Sequence, residues 1–161
     1  MSRFHIAEIN IGRLIAPYDS PELAEFVANL ARVNALADAQ PGFAWRLTGA
    51  GDDATDIQAF DDPLVALNMS VWESIEALAA FAYRSDHRLI MRRRREWFEA
   101  PTQAYMALWW VEAGHRPTPI EGRERLEALR RDGPTRFAFS FREPFPAPGT
   151  QSIEPILDEC A

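Results

Sequence analysis

The stretch from Leu64 to Trp72, LVALNMSVW, constrains the fold more than any other part of the chain. Read as a strand, it puts Leu67, Met69 and Val71 on one face and Asn68, Ser70 and Trp72 on the other, because successive side chains alternate. The first face is core. The second joins two small polar groups to a large ring, as a surface does that meets a ligand or another subunit. A chain built around this strand needs a sheet with one apolar face and one mixed face.

The neighbouring segments supply such a sheet. Phe4 to Ile11 alternates as a strand, with Phe4, Ile6, Glu8 and Asn10 on one side and His5, Ala7, Ile9 and Ile11 on the other. Glu8 and Asn10 beside Ile6 are unusual for a core and acceptable for a pocket wall; Asn10 can equally serve a turn or strand-end hydrogen bond. Ser20 and Pro21 open a helix in which Leu23, Phe26, Val27, Leu30 and Val33 form an apolar stripe, and Gln40, Pro41 and Gly42 end it. Phe43 to Thr48 reads as a second strand, and Gly49 to Pro63 as a polar, acidic connection without metal-ligand spacing. Tyr105 to Glu112 is a fourth strand, Pro119 to Arg131 a short charged helix, and Phe137 to Phe141 a final alternating strand.

Between the third and fourth strands the spacing predicts a broken helix, from Glu73 or Ser74 to Ala82 and again from Asp86 to about Phe98, with Ser85 as a cap. At about 100° per residue, His87, Ile90, Met91, Arg94, Trp97 and Phe98 share one stripe. Of the four consecutive arginines, Arg92 to Arg95, Arg94 alone points with the apolar residues. The run is a solvated face plus one inward cation.

Charge and composition remove whole classes of function. Seventeen basic against 24 acidic residues give a net charge of −7, which sets up no field to attract nucleic acid or an anionic membrane. No run approaches the roughly 20 apolar residues of a membrane span, and MSRFHIAEIN lacks a basic segment followed by an apolar one. A cytoplasmic location is the expectation. The single Cys160 has no partner thiol and reads as a free tail residue. No P-loop, dinucleotide-binding glycine pattern, Ser-His-Asp order or zinc spacing is present, so no metal is expected.

The order β, α, β, β, α, β is the ferredoxin-like α+β plan, an antiparallel sheet with helices on one face. We expect one domain over residues 1–143, with a core of about 3–113, a helix-strand extension of about 117–143 and a proline-rich tail over 144–161. Two helices leave one side of the sheet uncovered. That side is expected to carry Trp72, with Trp45 or Trp110 as further candidates, too much apolar surface for a monomer. A symmetric partner closing the two sheets into a barrel predicts a homodimer.

The runs NMSVWES (68–74), YRSDHRLIMRRRREWF (83–98), LWWVEAGHRPT (108–118) and GPTRFAFSF (133–141) resemble a bacterial family of uncharacterised proteins in the dimeric α/β-barrel superfamily, the group that includes the antibiotic-biosynthesis-monooxygenase-like proteins. The resemblance spans His5 to Phe141. It implies the barrel dimer and, from the wider superfamily, cofactor-independent quinol monooxygenases, heme-degrading monooxygenases, isomerases or small-ligand sensors. The quinol-oxidising branch resembles this chain in an Asn and a Trp four apart on the third strand, here Asn68 and Trp72, with a pocket Arg, here Arg94.

That resemblance implies a monooxygenase-type enzyme acting on a small aromatic or quinol-like molecule. Asn68 and Arg94 would donate to an oxyanion, His87 would take the phenolic proton, and Asn10, Ser70, Trp72 and Trp110 would line the substrate site. No cofactor is then expected. The heme-degrading branch implies an alternative in which Asn10, Trp72 and His87 hold heme, and a non-catalytic small-ligand binder is a third. Against all three, a helical His can bond a backbone carbonyl, an inward Arg can pair with Glu8 or Glu112, and tryptophans can be dimer core.

Overall fold

Strand β1 (Phe4–Arg13) lies between β3 (Val65–Trp72) and β4 (Met106–Glu112), and β2 (Phe43–Arg46) borders β3, giving an antiparallel sheet in the order β2-β3-β1-β4. The computed structural model describes residues 2–151; Cys160 and the end of the expected tail lie outside the described residues. The strand order is that of the ferredoxin-like α+β plan. Helix α1 (Ala24–Ala39) follows a single 3-10 turn at Pro21–Leu23, and α2 (Ile75–Arg84) follows β3. Ser74 caps α2 by accepting from the Ala77 N–H at 3.1 Å.

Register decides which side chains meet. Ile6 lies opposite Trp72, Glu8 opposite Ser70 and Asn10 opposite Asn68, so the mixed faces of β1 and β3 fall on the same side of the sheet. That side faces α1 and α2, and its core holds Ile6, Trp72, Ile75, Leu78, Phe81 and Leu108. At Gly42, with φ 84°, the chain turns from α1 into β2; an added Cβ would stand 2.6 Å from the Ala77 methyl.

The other side is also covered, which corrects the expectation of an open sheet. Helix α4 (Pro119–Asp132) lays Leu126 and Leu129 over Ala7, Ile9, Met69, Val71 and Trp109, with Ile57, Ala59 and Phe60 of the acidic connection packed beside it. Thr118 caps α4 by accepting from the Glu121 N–H at 3.2 Å, and Gly133, at φ 73°, follows its end. Arg123 ties α4 to the connection by donating to the Ala59 carbonyl at 2.9 Å. The anticipated bare face therefore belongs to this chain's own helix, and closing two naked sheets together would require α4 to leave.

Three further expectations shift. Trp72 is fully enclosed beneath α2, not displayed on an open face, while Trp45 is half-buried against the α4-side core and Trp110 against the other. The second half of the broken helix is shorter than its spacing implied: α3 covers His87–Arg92, and a 3-10 turn at Arg94–Glu96 follows. The chain leaves the helix because Trp97 and Phe98 join the end of β1, with the Ile15 N–H donating to Trp97 at 2.9 Å and Phe98 bridging Leu14. The expected last strand is a single bridge between Phe139 and Leu108; Phe139 and Phe141 are buried, whereas Phe137 is turned out under Arg125.

The placement of α4 predicts its energetics. Leu126→Ala should cost about 2–5 kcal/mol in urea unfolding, and Gly122→Leu, whose Cβ would press on Met69 and Ile9 at 2.9 and 3.0 Å, about 1–3 kcal/mol. A loss under about 1 kcal/mol for Leu126→Ala would place α4 off the sheet.

Candidate functional site

The polar residues of β1 and β3 do not pack against the helices; they floor two adjoining cavities. The outer cavity offers about 130 Å³ to the centre of a water molecule, between the sheet, α1, α3 and the connection after β2. The inner one offers about 50 Å³ and runs under α2 to Glu8, Ser70 and Trp72. Asn10, Asn34, Arg46, Asn68 and His87 border both, so they form the neck. Asn68 is exposed despite its place in a central strand, because its side chain opens into this space. Its amide is unpaired among the described residues.

At the floor sits a carboxyl group surrounded by donors. Trp72 Nε1 donates to Ser70 Oγ at 2.8 Å, Ser70 Oγ donates to Glu8 Oε1 at 2.9 Å, and Asn10 Nδ2 reaches both Glu8 oxygens at 3.3 and 3.1 Å. Glu8 is 5% exposed and has no cation partner among the described residues. Burial pushes its carboxyl up to about 7, against the Asn10 and Ser70 bonds, which lower it. Sequence reading flags Glu8 as odd for a core without making it a site residue; the register with Ser70 is what gives it a role. Arg46 and Asn34 carry no sequence signal at all. Arg46 is held by Asp38 at 2.8 Å and Asp52 at 3.0 Å, which pins the connection over the cavity mouth.

Arg94, like Arg125 and Arg130, is half-buried, donates to a backbone carbonyl and has no carboxylate partner among the described residues, but it alone of the three borders the outer cavity. Arg13, Arg46, Arg93 and Arg123 each pair with a carboxylate, whereas Arg94 donates to the Ile11 carbonyl at 2.9 Å and lies over the Tyr105 ring at 4.4 Å and the Phe98 ring at 5.2 Å. Its Nε is buried without a partner. Burial pulls its pKa below the usual arginine value, with Tyr105 opposing. It pairs with neither Glu8 nor Glu112; Glu112 meets Arg3 instead. Among the described residues it has no carboxylate partner, and it lies on the wall of the outer cavity.

His87 borders both cavities and stacks on Phe81 with centroids 4.7 Å apart. Its Nδ1 is buried without a partner, and burial holds the imidazole below its ordinary pKa, the Ala82 backbone opposing. The ring is therefore neutral at pH 7. Of the residues anticipated from sequence, Asn10, Asn68, Ser70, Trp72, His87 and Arg94 converge on the two cavities. Trp110 does not: its indole donates to the Phe145 carbonyl at 2.7 Å. Trp72 reaches the inner cavity with an edge, since Phe81 stacks on it at 5.1 Å and Phe43 meets it edge-on at 5.4 Å.

These residues fit heme poorly. A helical His, Asn10 and Trp72 would have to share one open face, yet Trp72 is enclosed between Phe81 and Phe43, and Asn10 is bonded to Glu8. Among the described residues no group of three or more His, Cys, Asp or Glu is placed to hold a metal ion, and no helix is long and apolar enough to cross a membrane.

Fold and site together define a ferredoxin-like α+β protein with a polar, aromatic-walled cavity between sheet and helices. The chain belongs to the family described as a domain of unknown function, DUF3291, whose sequence model matches residues 5–155. Among curated proteins none matches the sequence. Similar solved structures include NE2512, a protein of unknown function from Nitrosomonas europaea, at 14% identity over 73% of this chain and 96% of that one, TM-score 0.45. Another is a mutant of SnoaB, a cofactor-independent oxygenase from Streptomyces nogalater, at 16% identity over 71% and 97%, TM-score 0.44.

The raised carboxyl has a consequence for stability. Between about 4.5 and 7 the unfolded chain releases the Glu8 proton while the folded protein keeps it, so stability falls as pH rises through that window. Glu8→Gln removes this dependence: in urea unfolding the variant should gain roughly 3 kcal/mol on the wild type between pH 4.5 and pH 7.5. A constant difference across that range would mean that Glu8 titrates normally.

Proposed function

We propose that this protein binds a small hydroxylated aromatic molecule between its sheet and helices and acts as a monooxygenase that uses no metal or flavin. The observation that supports this most is the convergence of the Arg94 guanidinium, whose Nε is buried without a partner, and the Asn68 amide, which makes no hydrogen bond within the described residues, on one aromatic-walled cavity. A phenolate fills that need. Its oxyanion takes hydrogen bonds from Arg94 and Asn68, and Phe98, Phe26 and Tyr18 supply apolar walls. His87 contributes its unpartnered nitrogen as a further polar contact.

The electrons come from the ligand itself. A phenol with a hydrogen para to its hydroxyl loses the O–H and that C–H hydrogen, gains one oxygen atom to become a quinone, and releases the second oxygen of O₂ as water. The ring supplies all four electrons. The protein contributes by ionising the ring, holding the charge and keeping bulk water out.

Oxygen consumption by purified protein, with a panel of phenols, hydroquinones and hydroxynaphthalenes, tests the proposal. At least one compound should be turned over, and Arg94→Gln or Asn68→Ala should lower kcat/KM by roughly 10²–10³. Binding with the compound recovered unchanged would favour a non-catalytic carrier, and no binding at all would sink both readings.

A homodimer belongs to the same proposal, on the strength of the resemblance to dimeric α/β-barrel proteins. Because α4 occupies the second sheet face, the partner would meet α4 and not a bare sheet. Light scattering at micromolar concentration should return twice the chain mass; a monomer would contradict it.

A further inference from the structure

The inner cavity holds a group for which phenol binding at Arg94 and Asn68 provides no role. Glu8 receives hydrogen bonds from Ser70 and Asn10, and every one of those partners donates. Ser70 has no freedom in this, since its oxygen already accepts from Trp72 Nε1, which leaves its own hydrogen for Glu8. The surroundings are thus arranged for a carboxylate ion, yet no cation accompanies it among the described residues. A proton arriving on Glu8 would find no protein acceptor in this network, so its hydrogen bond would go to whatever occupies the cavity. A structural glutamate is normally either paired with a cation or protonated against an acceptor, and Glu8 is neither.

We propose that Glu8 is the catalytic residue that exchanges a proton with the bound ligand's hydroxyl, which rests on the phenol-binding reading above. The ligand O–H bond breaks as a new O–H bond forms at the Glu8 carboxyl, no electrons are gained or lost, and the negative charge moves from Glu8 to the ligand oxygen. There Asn68, which borders both cavities, holds it, and conjugation through the ligand shares the charge with an oxygen at the Arg94 wall. The position is suitable, since along β1 Glu8 and the Ile11 carbonyl that anchors Arg94 are three residues apart, roughly 10 Å. The ligand is then a fused or extended hydroxyaromatic, reaching from the Arg94 wall through the neck to Glu8, more than a single ring. The titratable and charged groups facing Glu8 are His87 on α3 and Arg46 on β2, the latter neutralised by Asp38 and Asp52. His87 is the competing acceptor.

The probe is 4-nitrophenol, whose ionisation is visible by colour and whose acidity lies near neutrality. At pH 8 free Glu8 and free probe are mostly ionised, and two anions in one cavity retain a single proton between them. Binding to the wild type at pH 8 should therefore take up about one proton per molecule from a weak buffer. Glu8→Gln should reduce this uptake to near zero while His87→Gln preserves it. Ser70→Ala, which removes a bond that lowers the carboxyl, should move the pH at which uptake sets in upward by about one unit. Uptake retained in Glu8→Gln and lost in His87→Gln would overturn the assignment and give the role to His87. Should Glu8→Gln fail to fold, an unmoved profile in Ser70→Ala would overturn it equally. If the wild type binds no probe, the phenol reading itself fails and takes the assignment with it, whereas binding without proton uptake sinks Glu8 alone.

Discussion

The register between β1 and β3 is the constraint on which the rest of this molecule depends. It sets Glu8 against Ser70 and Asn10 against Asn68, so four polar side chains share one face of a sheet whose other face carries the apolar core under α4. A slip of one residue would send Glu8 and Asn10 into the α4-side core, where neither could be solvated or paired. The correct register concentrates them under α1 and α2, where the helices cannot close over them without burying unpaired polar groups. The cavities are the result. Their cost is visible at Glu8, whose carboxyl burial pushes up to about 7 despite the donors around it, and at Arg94, half-buried without a carboxylate.

Much of this is legible in the sequence. Strand alternation puts Asn68, Ser70 and Trp72 on one face and Glu8 and Asn10 on another, and helical phase separates Arg94 from its three arginine neighbours. What alternation cannot supply is which face of one strand meets which face of the next, and for that reason Glu8 is an oddity until it is paired with Ser70. Trp72 misleads for a related reason. A large ring on a mixed face reads as exposed, but Phe43 and Phe81 come from outside the strand to enclose it.

Helix α4 shows a second limit. Its sequence, PIEGRERLEALRR, is so charged that its apolar stripe shrinks to Leu126, Ala128 and Leu129 with Gly122 between Met69 and Ile9. Nothing in that pattern says which surface it covers. By lying on the sheet face opposite the cavities, α4 supplies within one chain the cover expected from a second subunit. Both cavities lie wholly within one chain, between the sheet and the helices on the opposite side from α4.

The sheet's polar face holds a carboxyl poised near neutrality at the floor of the inner cavity. An infrared difference titration of the protonated carboxyl band, wild type against Glu8→Gln, observes it most directly. A band absent from the variant should titrate with a midpoint near 7. A midpoint below about 5, in the range of an ordinary glutamate, would contradict it.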